Sequence, residues 1–289
     1  MEVNAKMITA IFSYEFLRNT FITGLLIGLI APLLGTFIVV RRLSLIADAL
    51  SHVTLAGIAA SLFLSKKTLL FAGINPLYLG MGFSVLGSIF IERLRMVYKH
   101  YQELAIPIIL SGGIGFAVIF ISLAEGFNTD LLSYLFGSVS AVSRMDLYVI
   151  LMISVIVILV IILLFKELFL LSFDEEHAKT SGIPAKVIHF IFMVMIALVI
   201  AASMRVVGIL LVSALMTLPV AASMRIARGF KQTILFSILF GEISVIGGLI
   251  SAFYLDLAPG GTIVMIAIAI LLIVIGYKNM KSKRPLKGM

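Results

Sequence analysis

The stretch RRLSLIADALSHVTLAGIAASLFL, residues 41–64, decides how this chain is read. Two arginines lead into an apolar run long enough to cross a bilayer, because about 20 residues of helix span the hydrocarbon layer. Inside it stand Asp48 and His52, four residues apart, so both project from one helix face. Ionisable groups at membrane depth are costly and face a bundle interior or a wet path. A carboxylate beside an imidazole offers oxygen and nitrogen to a borderline divalent cation such as manganese, zinc or iron(II). One chain supplies only two such ligands; a two-fold pair of chains would supply four. The plainer alternative pairs Asp48 with Arg41 or Arg42 and lets His52 bond a carbonyl.

The rest of the chain supports a membrane setting. Of 289 residues, 62% are hydrophobic and 12% charged, with a mean hydropathy of +1.21. The chain has no cysteine, which removes disulfides and thiolate metal sites. No cleavable signal is evident, so the first apolar run is expected to act as its own signal-anchor. Nine spans are predicted, at 17–40, 45–64, 69–91, 104–124, 146–168, 187–204, 206–226, 232–254 and 260–277. Eight spans with the N-terminus inside remain the alternative if 187–204 does not cross separately. The stretch 127–145 is too polar to span and reads as a short helix or hairpin outside, or dipping back in. With the loop after the first span inside, 16 of the 22 basic residues fall on the cytoplasmic side. The net charge of +8 then marks cytoplasmic loops, not a nucleic-acid partner. This arrangement puts the C-terminus in the cytoplasm.

Several further features shape the expectations. Pro32, Pro107 and Pro219 fall inside spans, where proline kinks a helix and frees a carbonyl. Glu242 is a second intramembrane carboxylate, able to line a path or to bond a neighbouring helix. Arg205 is expected to start a span and to snorkel outward. His100, His177 and His189 read as surface histidines. In the cytoplasmic loop 169–186, Ser172 or Asp174 can cap a short helix through Glu175, Glu176, His177 and Ala178, stopped by Gly182 and Pro184. Such an acid-tipped helix suits a handle for a soluble partner, or is a plain connector. The chain contains no Walker loop, H-E-x-x-H or G-x-S-x-G pattern, and an enzyme is not expected.

Four stretches carry a resemblance: GLLIGLIAPLLGTFIVVRRLSLIADALSHVTLAGIAAS at 24–61, SFDEEHAKTSGIP at 172–184, VVGILLVSALMTLPVAASMRIAR at 206–228 and DLAPGGTIVM at 256–265. In these the chain resembles the membrane permease subunit of bacterial zinc/manganese/iron ABC importers. The resemblance implies an all-α polytopic bundle, a single permease domain over 1–289, and a fold similar to a reduced vitamin B12 or iron-chelate importer. It implies a homodimer in the bacterial cell membrane, two separate ATP-binding subunits and an extracellular metal-binding lipoprotein. The cargo is a divalent metal ion, and no cofactor is held permanently. Asp48 and His52 match the family's D-A-L-S-H motif, taken to meet the metal. Asp174, Glu175, Glu176, Ala178 and Gly182 fall in the segment that matches the one docking on the ATPase. Ala56 stands where many relatives have proline, which bears on a kink after His52. The rival reading is a proton- or sodium-coupled secondary transporter, in which the same carboxylates and imidazole would relay protons.

Overall fold

The computed structural model describes residues 14–68, 73–124, 126 and 129–282, and among these no strand occurs. Hydrocarbon offers no partner to backbone amides, so a spanning segment closes its hydrogen bonds within itself as a helix. Twelve α-helices result among the described residues: α1 Glu15–Val40, α2 Leu45–Lys67, α3 Pro76–Val97, α4 Ala105–Leu123, α5 Thr129–Phe136 and α6 Arg144–Leu163, then α7 Phe165–Phe173, α8 Glu175–Thr180, α9 Ala185–Val207, α10 Ile209–Ile226, α11 Phe230–Leu255 and α12 Pro259–Ser282. Nine of them, all but α5, α7 and α8, are long and apolar enough to cross a membrane. The helix over 185–207 is one of these, which favours nine spans over eight.

Local chemistry sets the boundaries. The third span starts seven residues later than predicted, because Asn75 accepts from the Leu77 amide at 3.1 Å and Pro76 supplies the first turn. Residues 69–72 of the predicted span lie outside the described residues. Ser143 and Asp146 form a reciprocal capping box that starts α6. The predicted span 146–168 divides at Leu164 into α6 and the separate α7. Of the three prolines expected to kink, Pro32 and Pro219 lie inside helices. Pro107 falls in the first turn of α4, where its missing N–H costs nothing. Gly208, with φ +84°, is all that separates α9 from α10. Of the polar stretch 127–145, residues 127 and 128 lie outside the described residues; Thr129–Phe136 is the short helix α5, packed against α9, α10 and α12, and a loop follows it.

Spans α1, α2 and α9 form the centre, with 72%, 78% and 72% of their most apolar stretches inside protein, against 28% for α4 and 22% for α12. The outer helices therefore leave most of their apolar surface on the outside of the bundle. Small residues bring the central backbones together. A Cβ on Gly35 of α1 would fall on the Met216 carbonyl oxygen of α10.

Two polar clusters lock the ends of α9, whose residues 189 and 205 are about 24 Å apart along the helix. Near its C-terminus the Arg205 guanidinium donates to Asp146 (2.9 Å), the Ala141 carbonyl (2.7 Å), the Tyr134 hydroxyl (2.7 Å) and Asn75 (3.2 Å). Arg205 thus ends one span instead of starting the next, and it does not snorkel. Asp146 is 1% exposed and would be a stranded charge without it. Near the other end His189 is buried, not a surface histidine. Its Nδ1 lies 2.8 Å from an Arg41 nitrogen, and its Nε2 lies 2.9 Å from both Glu92 and an Arg95 nitrogen. The connections are so short that this histidine falls on the second turn of α9, inside the bundle. A guanidinium can only donate, so the ring nitrogen facing Arg41 accepts from it, while Nε2 lies beside Glu92 and Arg95.

Two outcomes follow for stability. Asp146→Ala leaves Arg205 unpaired and is expected to cost about 3–5 kcal/mol, seen as a lowered melting temperature of the detergent-purified protein; Glu15→Ala, which removes the partner of exposed Arg144, should change it little. Gly35→Val should abolish monodisperse protein on size-exclusion chromatography, whereas Gly276→Ala, with open space around it, should leave the elution profile unchanged.

Candidate functional site

Helix α2 is the most buried span, yet it keeps one polar stripe open. Its apolar and small residues, among them Ile46, Ala47, Leu50 and Ile58, pack against α3, α4 and α10. Ser51 and Thr54 return their hydroxyls to the carbonyls of Ala47 and Leu50, at 2.8 and 2.7 Å, and are satisfied within the helix. Asp48 and His52, one turn apart, are half-buried on the remaining side. Asp48 also lies in the first turn of α2, where the helix dipole favours a carboxylate.

Neither group finds a strong partner among the described residues. The Asp48 carboxylate receives only a long contact, 3.5 Å, from the Ser213 hydroxyl of α10. The pairing of Asp48 with Arg41 or Arg42 is not formed, because Arg41 turns to His189 and lies over the Phe192 ring. Among the described residues His52 makes no hydrogen bond through its ring. On α10 the half-buried Ser213 and Thr217 repeat at four residues and continue the polar stripe next to Asp48. On the other flank Gly113 of α4 lets that helix approach the backbone of His52 and Val53. Helix α2 runs unbroken past Ala56. No group of three or more metal-ligating His, Asp or Glu side chains occurs among the described residues. One chain therefore offers a carboxylate and an imidazole, half-exposed and unspent, with a serine at hand. Ser213 escaped the sequence reading because span serines usually bond their own helix; its place opposite Asp48 is a tertiary fact.

Glu242 stands apart from this stripe. It projects from α11 toward Gly28 of α1, where a side chain on Gly28 would meet its carboxyl at 3.1 Å. One of its oxygens is buried without a hydrogen-bond partner. Pro32 takes away the amide that would have met the Gly28 carbonyl.

The loop over 169–186 contains the expected short helix, now α8. Asp174 caps it, accepting from the His177 amide at 2.9 Å, while Ser172 instead donates to the Leu168 carbonyl. Ala178 is fully buried and pins the helix to the bundle. Glu175 and Glu176 face outward, and Gly182, at φ +80°, ends the segment. The Glu175 carboxylate bonds Lys179 at 2.8 Å. That bond holds Glu175 below the usual carboxylate range, with help from the charge of Arg41, and it raises Lys179.

Comparison with known proteins bears on the family and the fold. The model of the ABC 3 transport family matches residues 13–278. The "Probable metal transport system membrane protein" of Treponema pallidum is 37% identical, over 94% of this chain and 98% of its own length. The "Manganese import system permease protein ScaB" of Streptococcus parasanguinis is 34% identical, over 98% and 99%. Among solved structures, PsaBC from Streptococcus pneumoniae in complex with Fab superposes with a TM-score of 0.82 at 30% identity, covering 96% of this chain and 99% of that one. An inward-facing structure assigned to the metal-chelate type of ABC transporter shares the fold, with a TM-score of 0.63 at 18% identity over 91% and 85%. With a family match across nearly its whole length and nine helices fit to span a bilayer, the chain is a multi-pass membrane protein that belongs to the ABC 3 transport family.

Proposed function

We propose that this chain is the membrane permease of an ATP-driven importer of a divalent transition metal, manganese first, with zinc and iron(II) as further candidates. One observation carries the reading: Asp48 and His52 stand one turn apart on the open stripe of a central helix, without a strong partner among the described residues. The relatives, a manganese import system permease among them, support the cargo. Two copies facing each other along this stripe would bring two carboxylates and two imidazoles to one point. The two negative charges offset a divalent ion, and oxygen and nitrogen donors suit manganese, zinc or iron(II). Few and weakly held ligands also fit transport, because the ion has to leave again. Chains of this family would then work as a homodimer, fed from outside by a metal-binding lipoprotein.

The free energy comes from a separate ATPase in this reading, since the chain has no nucleotide loop of its own. Helix α8 is the handle: Ala178 fixes it to the bundle while Glu175 and Glu176 face out toward two ATP-binding subunits. The end of α9 near His189 carries Arg41, Arg95, Lys99 and Lys186, which marks it as the cytoplasmic end. With nine spans the N-terminus lies outside and the C-terminus inside. Movement of α8 would rock the two copies and open the stripe to the cytoplasm.

In cells lacking their own system, Asp48→Ala and His52→Ala are each expected to lower radiolabelled manganese uptake by at least ~10–100-fold, the range lost when even an outer partner of a metal ligand is removed. Assembly with the ATPase should be unchanged; normal uptake by both variants overturns the site. Charge reversal of the handle, Glu175→Lys with Glu176→Lys, should lower uptake by on the order of tenfold, about 1.4 kcal/mol of docking free energy, while permease abundance in the membrane stays constant. Full uptake with the reversed handle would place ATPase docking elsewhere.

A further inference from the structure

We infer that a groove between α6, α7 and α11 is a binding site for one anionic phospholipid. Its lower chamber, about 660 Å³, is bounded by Phe165, Phe169 and Phe230 and ringed by Lys166, Arg228 and Lys231. A second hollow of about 620 Å³ shares Phe165 and Lys166 with the first and climbs into the span along Ile158, Ile162 and Ile234. The two hollows together are amphipathic along one axis. One end is cationic and the other is an apolar slot.

The walls explain why an anion with a hydrocarbon tail fits. Lys166, Arg228 and Lys231 are exposed, and none makes an ion pair among the described residues. No carboxylate lines the lower chamber, and Glu167 is the one acid on the upper hollow. Three unmatched cations at the end of a span attract phosphate. Lys166 sits where the chambers join, so its stem can lie along the apolar slot while its ammonium reaches the headgroup. The phenylalanine floor is fixed: Phe230 packs edge-on against Phe37 at 5.1 Å and against Phe169 at 5.2 Å, and Phe37 is fully buried. The groove opens on the side where α6 and α11 expose Ile162, Leu163 and Leu235. That side is apolar surface of spanning helices, hence lipid. A soluble partner could reach the cations but not the slot between Ile158 and Ile234. The site requires only that the chain spans a membrane. The orientation proposed above adds that it lies in the inner leaflet.

The test is native mass spectrometry of the assembled transporter released from nanodiscs of equal phosphatidylglycerol and phosphatidylcholine. The expected result is one retained phosphatidylglycerol per permease copy, favoured over phosphatidylcholine by on the order of tenfold or more. The variant carrying Lys166→Gln, Arg228→Gln and Lys231→Gln should lose that preference; the three side chains are exposed, and an unchanged elution profile and melting temperature confirm its fold. Filling the slot with Ile162→Trp and Ile234→Trp should lower retention of both lipids with the cations intact. Equal retention of the two lipids by the unaltered protein overturns the proposal, as does a preference that survives the triple substitution. Retention insensitive to the tryptophans but displaced by millimolar inorganic phosphate would reduce the site to a free-anion site. Cross-links from Lys231 to the ATPase in place of lipid would assign the cations to a protein contact. Either result contradicts a lipid site.

Discussion

An ionisable side chain inside a bilayer has to be answered by water, by an ion or by another polar group, because leaving it bare costs several kcal/mol. The two clusters at the ends of α9 meet that demand in different ways. Arg205 is answered by four oxygens and Asp146 by Arg205. His189 is answered by Arg41 and Glu92. Asp48 and His52 are the exception on the central helices: the described residues give them one 3.5 Å contact from Ser213. That unmet demand at the heart of the bundle is what the proposed dimer and its metal cargo would meet.

The rest of the fold holds this stripe in place. Helix α2 cannot tilt freely, because it is wedged among α3, α4 and α10, with Gly113 drawing α4 onto its backbone at His52. Helix α10, which brings Ser213, is in turn pressed onto α1 at Gly35 and joined to α9 through the single residue Gly208. The two polar clusters fix α9 at both ends. The one near His189 includes Arg41, the residue that leads from α1 into α2, and the charge of Arg41 reaches Glu175 on α8. A displacement of α8 therefore has a short polar route to the start of the helix that carries Asp48. Interfaces packed in this way have discrete arrangements rather than a continuum, which is what a gate requires.

Much of this was legible in the sequence, for physical reasons. Spans announce themselves because lipid demands about 20 apolar residues at a time. Asp48 and His52 stood out because a carboxylate and an imidazole in such a run are expensive, and their spacing already fixed a shared face. The short helix over 175–180 was legible because an aspartate cap and a stopping glycine act locally. What escaped was set by distant partners. Arg205 looked like a span-starting, snorkelling residue because Asp146 and Asn75 lie 59 and 130 positions away. His189 looked like a loop histidine because Arg41 and Glu92 come from other helices. Glu242 stood out as a costly group, but nothing local tells that it faces Gly28 between α1 and α11, away from the Asp48 stripe.

The most direct measurement is the structure of the assembled transporter trapped with manganese, with the metal located by its anomalous scattering. A single peak is expected on the two-fold axis, within bonding distance of an Asp48 oxygen and a His52 nitrogen from both copies. A peak elsewhere along the path, or two copies that meet through other helices and leave Asp48 and His52 facing lipid, would contradict it.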